Sequence, residues 1–426
     1  MEPDQLVVWI VLVAVLALVA AGRFRIEQVA MGGLLLLGLW RVAPGDVVFS
    51  GFGHPALATI VAVFFISQGI INSGITRGLG QNIARYFTST RGQIIGISAL
   101  GAVLSAFINN VGAAGLMLPT VVRMAQRCKS SAGSFGLPLA FAAILGGSLT
   151  LIGSAPNIII ASFMMTATGQ TFKMFDYAPH GVAMLGIFYL IWLVCKSCGL
   201  NPGAGTKDIL IESDSNSLSV SDDEHIQFSP LATRERRIIL IALLPAIILV
   251  SLGLIHPAFG FGGAVIILFI GRVLKASDDY KSVDLGIVFF LGAMLGIGKI
   301  LEYTGGLDIL SNLIAGSTGQ LSPFWLIVLF TALTALLSNA INNAAAAVFM
   351  APLAVNIAAA SGMEVAAGLM AVAAGANLTL LLPTHQATLI VLSKAPFSKG
   401  SFIRFGVVLT VFCVFAASAT IYLVWQ

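Results

Sequence analysis

Two asparagine pairs stand inside long apolar stretches: Asn109 and Asn110 in Phe107-Ile108-Asn109-Asn110-Val111-Gly112, and Asn342 and Asn343 in Ala340-Ile341-Asn342-Asn343-Ala344-Ala345. Carboxamides there offer donors and oxygen ligands without net charge. At the start of a helix they cap free N–H groups, and the helix dipole beside them favours an anion. A second polar set follows each pair: Gly146-Gly147-Ser148, Thr150 and Gly153-Ser154-Ala155-Pro156-Asn157, then Gly375, Asn377, Thr379 and Pro383-Thr384-His385-Gln386. Proline removes an N–H and glycine loosens the helix, so carbonyl oxygens are freed where ions or water reach them. Those carbonyls, with the Ser105, Ser154, Ser338, Asn and Thr oxygens, suit Na⁺, while the helix starts suit an anion.

No Asp, Glu, Lys or Arg lies between Lys129 and Lys173, between Asp308 and Glu364, or between Glu364 and Lys394. A pump or cation exchanger usually carries intramembrane carboxylates, so their absence argues against that class. His385 lacks a partner carboxylate, which favours a structural or hydrogen-bonding role over proton coupling. Lys299 and Glu302, near the end of a run, read as an interfacial pair. A membrane-embedded hydrolase would need paired acids, a Ser/His pair or metal ligands, and only His385 comes near that requirement.

The elements that position these residues follow from composition. Among 426 residues, 58% are hydrophobic and only 9% charged, against about 25% in a soluble domain. With a mean hydropathy of +0.98, the chain needs lipid around it and is read as an all-α polytopic membrane protein. A transmembrane β-barrel would alternate apolar and polar residues instead. The net charge of +4 reflects topology rather than a nucleic-acid partner. Cys128, Cys195, Cys198 and Cys413 show no secreted-scaffold or redox spacing and are read as packing residues. The first apolar run, preceded by Glu2 and Asp4 and followed by Arg23 and Arg25, has the reverse charge order of a signal peptide and is expected to be a retained span.

Apolar runs at about 6–21, 27–43, 55–75, 92–122, 134–163 and 177–197 recur in the same order of lengths at about 238–255, 258–274, 285–301, 321–360, 365–393 and 402–425. Ile108-Asn109-Asn110 with Pro119 repeats 233 residues later as Ile341-Asn342-Asn343 with Pro352, and Leu149-Thr150-Leu151 recurs as Leu378-Thr379-Leu380. Three regions follow: a transmembrane repeat over 1–198, a polar cytoplasmic linker over 199–237, and a second transmembrane repeat over 238–426. After Asn110 only Val111 to Val122 remain before Arg123, a helix of roughly 18 Å, so each Asn pair is expected at the tip of a re-entrant hairpin. Five crossings plus one hairpin per copy is odd, so the copies are inverted, with helices broken near the midplane. This layout puts all basic residues except Arg41, Lys173 and Lys299, 19 of the 22, on one side, which is then cytoplasmic, with both termini outside the cell inner (plasma) membrane.

Asn109-Asn110-Val111, Asn342-Asn343-Ala344, Gly147-Ser148-Leu149-Thr150-Leu151-Ile152-Gly153-Ser154-Ala155-Pro156-Asn157 and Pro383-Thr384-His385-Gln386 resemble the divalent anion:sodium symporters of the ion transporter superfamily, over nearly the whole chain. The resemblance implies a homodimer with a scaffold and a mobile transport domain, working by an elevator motion, and no enzyme activity. The family's hairpin tips carry a Ser-Asn-Thr motif. Here the Asn is kept as Asn110 and Asn343, the Ser is replaced by Asn109 and Asn342, and the Thr by Val111 and Ala344, so both tips lose hydroxyls. Longer relatives carry a soluble mid-chain insert, for which this linker is too short. The resemblance and the residue reading together give an anion site of Asn109, Asn110, Val111, Asn342, Asn343, Ala344, Thr384 and His385. They give a Na⁺ set of Ser105, Asn109, Asn110, Gly153, Ser154, Asn157, Ser338, Asn342, Asn343, Asn377, Pro383 and Gln386. The function implied is Na⁺-coupled symport of a small divalent anion, a sulfate-like oxyanion or a dicarboxylate. An oxyanion exporter and a proton-coupled anion transporter are the alternatives.

Overall fold

The computed structural model describes residues 3–21, 23–73, 87, 89–197, 230–275, 279–306 and 321–426. In its first half the chain forms α1 (Pro3–Ala21), α2 (Ile26–Leu39), α3 (Gly45–Phe49), α4 (Pro55–Asn72), α5 (Thr90–Ser105), α6 (Asn110–Arg127), α7 (Ala132–Gly146), α8 (Ala155–Thr168) and α9 (Ala178–Ser197). In the second half it forms α10 (Pro230–Ser251), α11 (Pro257–Ile270), α12 (Leu285–Tyr303), α13 (Pro323–Ala340), α14 (Asn343–Ser361), α15 (Val365–Ala376), α16 (Gln386–Lys394) and α17 (Lys399–Trp425). No strand occurs among the described residues. Five helical stretches, Gly45–Asn72, Ala178–Cys195, Leu285–Tyr303, Pro323–Ala340 and Lys399–Trp425, are long and apolar enough to cross a membrane, and shorter apolar helices fill the bundle.

Each long run expected to be interrupted is interrupted. The 92–122 run divides into α5 and α6 and the 321–360 run into α13 and α14, with the Asn pairs at the divides. The 134–163 and 365–393 runs become α7 and α8, and α15 and α16, separated by non-helical segments before Ala155 and Gln386. Two expectations need correction. α6 does not stop before Arg123 but continues through it to Arg127, 18 residues or about 27 Å, because a basic residue near a helix C-terminus complements the dipole rather than ending the helix. The 199–237 linker lies largely outside the described residues, and its last part is helical: α10 starts at Pro230, so Arg234, Arg236 and Arg237 belong to a helix.

Packing partners recur with the halves exchanged. α2 packs on α12 as α11 packs on α4; α6 packs on α16 as α14 packs on α8; α7 packs on α16 as α15 packs on α8. Two glycines mark a matching close approach in each half. A Cβ at Gly146 would meet Ala102 O of α5 at 2.3 Å, and one at Gly375 would meet Thr331 O of α13 at 2.4 Å. Only hydrogen fits there, so α5 lies against α7, and α13 against α15, backbone to backbone.

Candidate functional site

The first Asn pair is a helix cap. Asn109, at φ +74°, accepts the Gly112 N–H on Oδ1 at 2.7 Å, and α6 begins at Asn110. In the left-handed region an Asn is far better tolerated than a branched residue, which explains an amide at this corner. Asn110 is buried, with Ser105 Oγ lying between its Oδ1 (2.8 Å) and Ala143 O (2.6 Å). The second pair does the same work with different geometry. Asn342 has extended backbone, and both its Oδ1 and that of Asn343 accept from the Ala344 N–H, at 2.8 and 2.9 Å. Ser338 Oγ donates to Ala376 O at 2.7 Å, as Ser105 does to Ala143 O, the same step of 38 residues.

The two interruptions end in two further helix starts. Ser154 holds the N-cap position of α8 without using its side chain, and Pro156 follows in the first turn, where a missing N–H costs nothing. His385 caps α16, its Nδ1 accepting from Ala387 N–H at 3.2 Å. Asn157 Nδ2 donates to Gly147 O at 2.9 Å and Thr150 O at 2.8 Å, closing the first break upon itself. Its Oδ1 accepts from Asn377 Nδ2 at 2.8 Å, which ties the two breaks together, and Tyr177 Oη donates to Asn157 O at 2.7 Å.

A single cavity of about 600 Å³ collects these helix starts. From the anion set it is lined by Asn109, Asn110, Val111, Asn342, Asn343, Ala344, Thr384 and His385, and from the Na⁺ set also by Gly153, Ser154, Ser338 and Gln386. Ser105, Asn157, Asn377 and Pro383 do not line it. They stand behind it, and the hydrogen bonds of Ser105 and Asn157 hold lining residues or broken segments in place. The acids and the arginine on its wall come from the starts of α2 and α12: Arg25 paired to Glu27 at 2.6 Å, and Asp284, which caps α12 by accepting Ile287 N–H. The remaining wall includes Ile60, Val63, Phe64 and Ser67 of α4.

Sequence reading passed over two residues here, Asn339 and Ser67. Asn339 donates to Ala335 O and Leu378 O and accepts from Leu381 and Leu382 N–H, pinning the second break much as Asn157 pins the first. Its neighbours at 342 and 343 drew attention, while a lone Asn one turn earlier carried no signal of its own. Thr379 lines the cavity with a buried, unpartnered hydroxyl, whereas its counterpart Thr150 donates to Ala106 O. Ser67 is likewise buried and unpartnered on α4. Lys299 and Glu302 form an exposed ion pair at 3.0 Å, as expected. Among the described residues no group of His, Cys, Asp and Glu could hold a metal ion, and Cys128 and Cys413 form no disulfide, with Cys198 outside the described residues.

Helices that converge on a cavity inside an apolar bundle give the architecture of a polytopic membrane protein. The model of the family described as "Citrate transporter" matches residues 15–375, so the chain belongs to that family, within the ion transporter superfamily that its motifs resemble. The uncharacterized transporter YfbS of Escherichia coli is 28% identical over 189 residues, 43% of this chain and 31% of that protein. Probable sodium/sulfate cotransporter 3 of Chlamydomonas reinhardtii is 28% identical over 171 residues, 38% of this chain and 19% of that one. The aligned stretch thus spans under a third of either relative. The crystal structure of the YdaH transporter of Alcanivorax borkumensis shares the fold, with a TM-score of 0.64 at 16% identity, over 99% of this chain and 98% of that one.

Proposed function

We propose that the protein is a Na⁺-coupled symporter of a small divalent anion, a sulfate-like oxyanion or a dicarboxylate, bound between the two Asn tips. One observation carries this reading: the N-termini of α6, α8, α14 and α16 all border one cavity. Each helix start is equivalent to roughly half a positive charge, so four supply on the order of two, matched to a divalent anion. The oxygens of Asn109, Asn110, Ser154, Ser338, Asn342, Asn343 and Gln386 then supply neutral ligands for Na⁺. Chlamydomonas relatives named sodium/sulfate cotransporters support the same coupling.

In this reading the halves are inverted repeats and the tips are re-entrant. α1 to α4 and α10 to α12 form a scaffold, and the remaining helices form a body that carries the site across the cell's inner membrane by an elevator motion, within a homodimer. The cavity is walled by the start of α2, the end of α4 and the start of α12, which the basic-residue count places on the cytoplasmic side, so this conformation faces inward. The test is transport by the full chain in proteoliposomes. Uptake of sulfate or succinate driven by an imposed Na⁺ gradient is expected; flux driven only by a proton gradient would refute the Na⁺ coupling, and no anion flux would refute the function.

A further inference from the structure

α4 is apolar along most of its length, yet it places Ser67 and Gln68 side by side on the cavity wall. The other hydroxyls of this segment turn back onto the helix: Thr59 donates to Pro55 O at 3.0 Å and Ser73 to Ile70 O at 2.7 Å. Ser67 does not. The residue lines the cavity at 4% exposure, and its Oγ is buried with no partner. A buried hydroxyl left unmade costs stability, and the local remedy used twice in the same segment was open to it.

Gln68 is aimed by its neighbours. Asn72 Nδ2 donates to Val273 O at 3.3 Å and Asp279 Oδ1 at 3.1 Å, which commits Asn72 Oδ1 to accept. Gln68 Nε2 donates to that oxygen at 2.8 Å, so its amide orientation is fixed with one N–H left over. Two adjacent donors, one unpartnered and one oriented, thus stand in the wall of a cavity whose other walls hold the Asn tips. At about 600 Å³ that cavity is far larger than a single oxyanion and falls within the range of pockets that enclose small organic molecules.

We infer that Ser67 and Gln68 form a second docking point, on the α4 wall, for the distal carboxylate of an elongated dicarboxylate whose first carboxylate sits at the Asn tips, engaged in this conformation and released when the body moves. The inference rests on the proposed anion site. It makes α4 a selector between long and short anions: a dicarboxylate reaches both points, sulfate only the tips. It also predicts an unusual stability signature, because removing an unpartnered hydroxyl relieves its desolvation penalty.

The experiment compares wild type, Ser67→Ala, Ser67→Thr and Gln68→Leu as full chains, with succinate and sulfate as probes in saturating Na⁺, reading thermal shift and proteoliposome transport. Ser67→Ala should melt at or above the wild-type temperature without anion, and should raise the succinate KM roughly tenfold, the scale of a lost hydrogen bond to a charged group. Its sulfate KM should stay within about twofold, and Ser67→Thr should recover the succinate KM. Gln68→Leu should show the same bias toward sulfate. Equal changes for both anions, or none for either, would overturn the selector while leaving the Asn site standing. Absence of any anion response in wild type would overturn both readings.

Discussion

At the residue scale the site is built from amides doing two different jobs. Asn110 and Asn343 begin helices on the cavity wall, whereas Asn157 and Asn339 spend their hydrogen-bonding capacity on the backbone of the breaks. The two kinds should fail differently. Asn110→Ala and Asn343→Ala are expected to abolish the thermal shift produced by anion with Na⁺ while leaving the protein folded; a full shift in both variants would contradict the site. Asn339→Ala strands Leu381 and Leu382 N–H groups and frees two carbonyls, so it should destabilise by about 2–4 kcal/mol, seen as a lower melting temperature with or without anion. The Asn pairs were legible because the dipeptide repeats at a fixed step. Asn339 was not, since its counterpart Ala106 contributes a backbone carbonyl to Thr150 instead, and the duplication hides a role that moved from side chain to backbone.

At the element scale, interruptions were the most readable feature, because Gly, Pro and Asn mark helix ends through simple backbone chemistry. Ends set by tertiary context were less so: α6 runs past Arg123, and α10 begins within a stretch whose serines and acids suggested only linker. The paired glycines give this scale its test. Gly146 and Gly375 occupy matching places, and each faces a carbonyl that leaves no room for a methyl group. Gly375→Ala and Gly146→Ala should each cost about 1–3 kcal/mol by forcing α13 from α15 or α5 from α7. Gly32→Ala, where a Cβ meets nothing within 4 Å, is the neutral control. Comparable melting temperatures for all three would mean that these helices pack with slack.

At the scale of the whole molecule, the two halves share a plan but not every contact. α14 packs on α12, with a cavity of only about 20 Å³ bordered by these helices and α1, while α4 meets α8 and carries no comparable packing against α6. An exchange of these two arrangements would close the large cavity on one side and open its counterpart on the other, which is the step an elevator requires. Sequence could not show this, because both states satisfy the same hydrophobic pattern and differ only in which apolar faces meet. Cysteines at Leu301 on α12 and Leu353 on α14, both bordering the small cavity, would bridge that contact in a background with Cys128, Cys195, Cys198 and Cys413 replaced. Joined by a short thiol-reactive linker, the protein should keep its anion-dependent thermal shift and lose transport, with transport restored when a reducible linker is cleaved. Transport at the unlinked rate after complete cross-linking would show that α14 does not leave α12 during the cycle, and the moving part would then have to be sought elsewhere in the bundle.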